Sequence, residues 1–204
     1  MNELTRLLQL ASPTLPIGAY SYSQGLEAAV DAGAVKDAPT AEHWIAAVLE
    51  LSVARMELAV LQRQLEEPTQ AMNDLFLASR ETAELRAETV QMGQSLARLL
   101  SDLGIDVPIQ EPVLPTAFAC AARAWHIAPH DAAVAYLWSW LENQVIAALK
   151  TVPLGQTAGQ KILLALGGRL DEIVRREPQW MNLAPGLAFL SARHETQYSR
   201  LFRS

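Results

Sequence analysis

Residues with clear chemical potential stand together near the end of the chain, in His194-Glu195-Thr196-Gln197-Tyr198. A zinc-protease helix needs histidines at i and i+4, so that two imidazoles reach one metal ion. Here the second of these positions holds Tyr198, which is a poor zinc ligand. We therefore interpret His194 and Tyr198 as amphipathic contacts on the apolar face of a last helix, shared with Leu187 and Leu190, at a core edge or an interface.

The segment Gly155-Gln156-Thr157-Ala158-Gly159-Gln160-Lys161 superficially resembles a phosphate-binding loop. Its glycines are one residue too close, no serine or threonine follows the lysine, and no strand precedes it. We expect instead that Thr157 and Gln160 form a capping box at a helix start. Lys150 is either a charge favoured at a helix C-terminus or an exposed contact to a partner, and residues 153–155 turn the chain after it.

A second polar constellation lies in residues 16–27, and its members are Tyr20, Ser21, Ser23, Gln24 and Glu27. If a helix begins at Ser21, with Gln24 completing a capping box, then Ser23 and Glu27 lie at i and i+4. Gly25 inside such a helix costs about 1 kcal/mol relative to alanine and lets another group come close. These side chains line a polar channel or an interface, or they form the water-facing side of a capped helix.

The last seven residues alternate apolar anchors with arginines: Tyr198, Leu201 and Phe202 with Arg200 and Arg203. Tyrosine and arginine bind well when they are desolvated at an interface. The tail is thus suited to docking on a partner. The alternative is that Leu201 and Phe202 cap the core of the chain itself.

Composition indicates one globular, non-membrane domain. The chain has 204 residues, of which 50% are hydrophobic and 19% are charged. The net charge of −6 argues against general nucleic-acid binding, and no apolar run reaches the ~18 residues of a membrane span. The single cysteine, Cys120, allows no internal disulfide. With no signal-peptide pattern at the start, we expect a cytoplasmic protein.

Apolar residues recur with helical periodicity almost throughout. The pattern predicts helices over roughly 41–65, 85–103, 131–150, 162–173 and 187–198, with a proline-rich loop at 104–115. Prolines fall between these segments, where they are tolerated. We predict an all-α protein, a single-domain bundle of about seven to ten helices over residues 1–204, with residues 192–204 as a docking tail.

Four segments, in order along the chain, resemble the signatures of the urease accessory protein UreF family. They are Leu7–Glu27 around Leu15-Pro16-Ile17-Gly18-Ala19-Tyr20-Ser21-Tyr22-Ser23-Gln24-Gly25-Leu26-Glu27, then Arg80–Arg86, Val152–Gln160 and Ser191–Ser204. The resemblance implies an all-helical, dimeric protein that is not an enzyme. It implies a bridge between UreD (also called UreH) and the nickel-carrying GTPase UreG, in the complex that delivers nickel to apo-urease.

The resemblance also implies roles for particular residues. The segment from His194 to Ser204 would order against UreD, through His194, Glu195, Tyr198, Arg200, Leu201, Phe202 and Arg203. The N-terminal set Tyr20, Ser21, Ser23, Gln24 and Glu27 would lie near the functional surface or a nickel tunnel. Lys150, Pro153, Gly155 and Gln156 would face the GTPase. No permanent cofactor is implied, although nickel would pass in transit.

Two further functions are open at the level of sequence. One is a regulator that accelerates or restrains GTP hydrolysis by UreG, with Lys150 and the C-terminal arginines as charge stabilisers. The other is a hydrolase or metalloenzyme that uses His194, Glu195 and Glu27. The absence of any nucleophile signature in the sequence favours a protein that binds partners over one that catalyses a reaction.

Overall fold

A computed structural model describes residues 2–204, and the regular elements in this range are helical. The prediction of an all-α fold is confirmed. The α-helices are α1 Glu3–Leu10, α2 Leu26–Asp31, α3 Ala38–Val48, α4 Leu58–Glu66, α5 Gln70–Ala78, α6 Ala83–Asp102, α7 Leu114–Ala124, α8 Pro129–Thr151, α9 Gln156–Gly167, α10 Leu170–Val174 and α11 Pro185–His194. No helix among these residues has the length and apolar character needed to cross a membrane.

Helices α3 and α4 form one continuous rod, joined by a π-helical segment at Leu49–Glu57. The predicted helix of roughly 41–65 corresponds to this rod. A π-turn has i→i+5 hydrogen bonds and rotates the following residues relative to an α-helix. The segment ends at Glu57, a buried carboxylate.

The core is built around α8, whose inner face contacts α2, α4, α7 and α9. Helix α7 is alanine-rich, and four of its five alanines are buried, so α4 and α6 can approach it closely. Phe118 of α7 packs edge-on against Tyr136 of α8, with ring centroids 5.0 Å apart. Edge-to-face aromatic contacts of this kind stabilise a core beyond their buried area.

The predicted helix over 162–173 is divided into α9 and α10 at Gly167 and Gly168. A Cβ at Gly167 would lie 2.8 Å from an atom of the Trp138 ring. The glycine therefore lets the indole of α8 lie directly against the end of α9.

Two predicted capping boxes are wrong. Ser21 ends a short 3₁₀ turn, and α2 begins only at Leu26, because Gln24 and Gly25 both have positive φ and interrupt the helix. Gly25 is thus the residue before a helix and not inside one, and its φ of 75° is one that glycine adopts without strain. Thr157 lies inside α9, which starts at Gln156 without a side-chain cap.

The last helix ends at His194, four residues earlier than predicted. His194 is fully buried, whereas Tyr198 lies beyond the helix and is fully exposed. The prediction that these two side chains share one helix face is wrong, because the chain leaves the helix between them.

Candidate functional site

The end of the chain lies against the N-terminal polar motif. The carbonyl oxygen of Ser204 accepts hydrogen bonds from the backbone amide of Ser23 at 2.7 Å and from its hydroxyl at 2.6 Å. One residue earlier, the amide of Arg203 donates to the carbonyl of Ser21 at 2.8 Å. Ser23 and Ser204 are both buried. Two of the sequence-predicted site regions are therefore one structural unit, which we call the tail junction (residues 20–27 and 194–204).

The carboxylate of Glu27 binds the backbone of the tail. Its two oxygens accept from the backbone amides of Leu201 and Phe202, at 2.7 and 2.9 Å. Glu27 lies in the first turn of α2, where a negative charge is favoured by the helix dipole. Hydrogen bonds to an ionised acceptor are stronger than neutral ones, so this residue fixes the path of the tail.

His194 connects the tail junction to α6. Its Nδ1 lies 2.9 Å from Glu84 Oε2 and its Nε2 lies 3.2 Å from Glu27 Oε2. Arg200 adds an ion pair to the other oxygen of Glu84, at 2.9 Å. Each ring nitrogen of His194 is hydrogen-bonded to a glutamate carboxylate. A metal ion could therefore bind His194 only by displacing one of these two carboxylates. Within residues 2–204, no three His, Cys, Asp or Glu side chains form a group able to hold a metal ion.

Glu88 of α6 lies beneath the junction and contacts both halves of it. Oε1 accepts from the Gln24 amide at 2.6 Å, and Oε2 accepts from the Ser204 hydroxyl at 2.9 Å. The indole N–H of Trp140 donates to the Gln24 oxygen at 2.6 Å. Burial raises the pKa of Glu88 to about 7, although its hydrogen bonds to Gln24 and Ser204 act in the opposite direction.

A second buried carboxylate, Glu57, lies deeper in the bundle. It accepts a hydrogen bond from the Tyr136 hydroxyl and lies 3.7 Å from a guanidinium nitrogen of Arg80. Burial raises the pKa of Glu57, and the charge of Arg80 opposes that shift. Glu57 and Glu88 both line a partly open pocket of about 110 Å³. Sequence reasoning missed both glutamates, although Glu88 stands at helical spacing between the buried Leu85 and Met92.

The tail residues divide into an inner and an outer set. Phe202 is buried in the core of the chain. Tyr198 and Leu201 are exposed, as are Glu195, Arg200 and Arg203. Phe202 is therefore packed in the core of its own chain, whereas Tyr198 and Leu201 are in contact with solvent.

The predicted GTPase-facing residues Lys150, Pro153, Gly155 and Gln156 are all exposed around the end of α8. The Lys150 ammonium lies 5.5 Å from the centroid of the Phe202 ring, within reach of a cation–π contact. This surface and the tail junction are therefore neighbours. Of the N-terminal set, Tyr20 is exposed, Ser23 is buried, and Ser21, Gln24 and Glu27 are partly covered.

The fold and the tail junction define a class: an all-helical protein whose polar N-terminal motif is closed by its own last residues. The family model that matches the chain is UreF, over residues 35–167. Urease accessory protein UreF of Azoarcus sp. (strain BH72) is 52% identical to this chain over an alignment of 223 residues. The alignment covers 98% of this chain and 95% of that protein. Urease accessory protein UreF of Dechloromonas aromatica (strain RCB) is 49% identical, covering 99% of this chain and 98% of that protein.

The chain belongs to the UreF family of urease accessory proteins. The family match at residues 35–167 contains the surface around Lys150. The tail junction lies outside that range, but the similarity to the two relatives extends over almost the whole chain.

Proposed function

We propose that the chain is a scaffold for urease maturation that catalyses no reaction itself. It holds UreD (UreH) and the GTPase UreG in one complex, and this complex delivers nickel to apo-urease. Nickel is the cargo of the complex and not a resident cofactor of this chain. The UreF family membership and the geometry of the tail support the proposal.

The observation that carries the proposal is the arrangement of the tail. Glu27 and Ser23 hold its backbone, while the side chains of Tyr198 and Leu201 remain exposed. A pre-ordered segment loses less conformational entropy on binding than a flexible one. Tyrosine and arginine side chains dominate the binding energy of many interfaces. The tail therefore presents an ordered contact surface suited to UreD.

The experiment compares outer tail residues with exposed apolar residues elsewhere in the chain. The double variant Tyr198→Ala with Leu201→Ala is expected to lose co-purification with UreD while its thermal unfolding is unchanged. A control replaces two other exposed apolar residues, Leu164→Ala with Phe189→Ala, and should retain UreD. Co-purification of the tail variant at the wild-type level contradicts the assignment of the tail to UreD.

We also propose that the chain is a homodimer and that it acts in the cytoplasm. Dimerisation would place two copies of the scaffold in one complex. Light scattering during gel filtration at micromolar concentration should give twice the mass of the chain. A mass equal to one chain contradicts the dimer.

A second candidate function is regulation of the UreG GTPase. The contact between Lys150 and Phe202 favours it, because this contact joins the predicted GTPase surface to the tail. Binding of one partner at the tail could in this way alter the contact with the other. Rates of GTP hydrolysis by UreG, measured with UreD and with or without this chain, test the idea. A rate that changes in the presence of the chain, but not with the Lys150→Ala variant, supports regulation, and equal rates support a passive scaffold.

A further inference from the structure

A cleft separates the loop of residues 13–18 from the exposed face of α6. It has a volume of about 740 Å³, which is in the range of ligand sites. Its polar lining includes Arg98 and Arg203, together with Ser21, Gln91, Gln94 and Ser95. The cleft adjoins the pocket that contains Glu57 and Glu88, and the two share Pro13, Leu15, Ile17 and Tyr20 in their walls.

The charge of this cleft is opposite to that of the molecule. Its lining residues within the described part of the chain include two arginines and no acidic residue, whereas the whole chain has a net charge of −6. Three other clefts each contain a carboxylate: Asp31 in one, Glu66 in the second, and Glu66 with Glu67 in the third. The positive cleft is therefore a local exception on an acidic surface.

Both guanidinium groups have donors that the protein does not use with a charged partner. Arg98 Nη2 lies 3.1 Å from the Ser95 hydroxyl, and Arg203 Nη1 lies 3.5 Å from Gln91 Oε1. Both oxygens are neutral. By contrast, Arg175 makes two 3.0 Å hydrogen bonds to Asp171. An arginine has five N–H donors in a planar fork that matches a carboxylate.

The spacing of the two arginines suits an extended peptide. Gln91, Ser95 and Arg98 lie at i, i+4 and i+7 on one face of α6, and Arg203 reaches the first of these positions. The Arg98 guanidinium donates to Ser95 and that of Arg203 to Gln91, and at 1.5 Å per residue these two partners are about 6 Å apart along the helix. About two residues of an extended chain span the same distance. The aromatic ring of Tyr20, 63% exposed, lines the same cleft.

We propose that this cleft binds an acidic segment of a partner protein. Arg98 and Arg203 pair with two carboxylate side chains of that segment, and Tyr20 packs against the chain between them. The cleft volume of about 740 Å³ is far larger than a single phosphate, which favours a peptide over a free anion. This proposal depends on the proposed function in one respect: both require that the chain acts by binding other proteins.

The test is an NMR titration of the full chain labelled at arginine, in low salt, that follows the Nε–Hε signals. The probe is acetyl-Glu-Gly-Glu-amide, and its matched control is acetyl-Gln-Gly-Gln-amide. We expect saturable shifts at Arg98 and Arg203 with the acidic peptide alone. The signal of Arg175, already paired with Asp171, serves as the internal reference and should not move. Arg98→Gln should weaken binding by about tenfold, since a charge-assisted pair is lost, whereas Arg98→Lys should weaken it less.

Several results would overturn the proposal. These are shifts that do not saturate, equal binding of the amide peptide, or equal shifts at all exposed arginines. Inorganic phosphate that binds as tightly as the acidic peptide and displaces it would identify a small-anion site instead. Co-purification with UreD and UreG is measured on the same samples. If the peptide does not bind but co-purification is intact, the peptide-binding role of the cleft is rejected and the bridging function is not. If the peptide binds but co-purification is lost, the bridging function is rejected and the peptide-binding role is not.

Discussion

Ser23 and Ser204 are joined by two hydrogen bonds to one carbonyl oxygen, although 181 residues separate them in the chain. Both residues are buried. The N-terminal motif (residues 20–27) and the tail are consequently one structural unit, and a change in the motif should alter the stability of the tail.

Ser23→Ala tests this coupling directly. The variant removes the hydroxyl donor but keeps the backbone bond to Ser204, so the net loss is about 1 kcal/mol. The amide of Arg203 should then exchange its hydrogen roughly fivefold faster. Ser139→Ala, which removes a hydroxyl bonded only within α8, is the control and should leave this amide unchanged.

Glu27→Gln should release the tail from α2. One amide oxygen cannot replace the two carboxylate oxygens that accept from Leu201 and Phe202. Limited trypsin digestion, followed by mass spectrometry, should show faster cleavage after Arg200. The control Glu67→Gln replaces an exposed glutamate far from the tail in sequence. Equal cleavage of both variants and the wild type would show that Glu27 does not hold the tail.

Glu88 should make stability depend on pH near neutrality. Burial raises its pKa from 4.5 to about 7, so the folded chain binds a proton between these values that the unfolded chain releases. The free energy of unfolding therefore falls as the pH rises from about 4.5 to 7, by about 3 kcal/mol in total. Above pH 7 this contribution is constant.

The variant Glu88→Gln isolates that contribution, because its side chain is neutral at every pH. Its amide can still accept from Gln24 and donate to the Ser204 hydroxyl. Urea unfolding at several pH values should show the variant gaining stability relative to the wild type as the pH rises to 7. The raised pKa of Glu57 affects both proteins, and because the charge of Glu57 also contributes to the raised pKa of Glu88, the difference includes the coupling between the two carboxylates. A constant difference over pH 5–8 would contradict the prediction.

Gly93→Ala should disrupt the bundle at the contact between α6 and residues 112–114. A Cβ there would lie 2.1 Å from the carbonyl oxygen of Pro112, and backbone atoms cannot move aside as a flexible side chain can. We expect a loss of about 3 kcal/mol or more in unfolding free energy. Gly155→Ala is the control, since its Cβ meets no atom within 4 Å. Thermal unfolding by circular dichroism separates the two variants.

Helical periodicity and proline positions were sufficient to predict the long helices, because both signals are local. The apolar period reflects the buried face of one helix, and proline is poorly tolerated inside a helix. The boundaries near residues 21–25 could not be predicted in this way. Gln24 has a φ of 52°, and it precedes a glycine with a φ of 75°. This turn depends on contacts of Gln24 with Glu88 and Trp140, which are distant in sequence.

Most members of the candidate site were predicted from the sequence, but their arrangement was not. The tail and the N-terminal motif were identified separately, and nothing in the sequence shows that Ser204 meets Ser23. Phe202 and Tyr198 have similar sequence surroundings, yet only Phe202 enters the core. Glu57 and Glu88 were missed because glutamate is rarely buried. The helical spacing of Glu88 with Leu85 and Met92 was the available signal.

The central claim is that this chain joins two partners and transforms no molecule. The most direct measurement is light scattering on mixtures of the chain with UreD and UreG, with the composition of each peak determined. We predict one complex that contains all three proteins, and no joint peak of UreD and UreG when the chain is omitted. A complex of UreD with UreG that forms equally well without the chain would contradict the account.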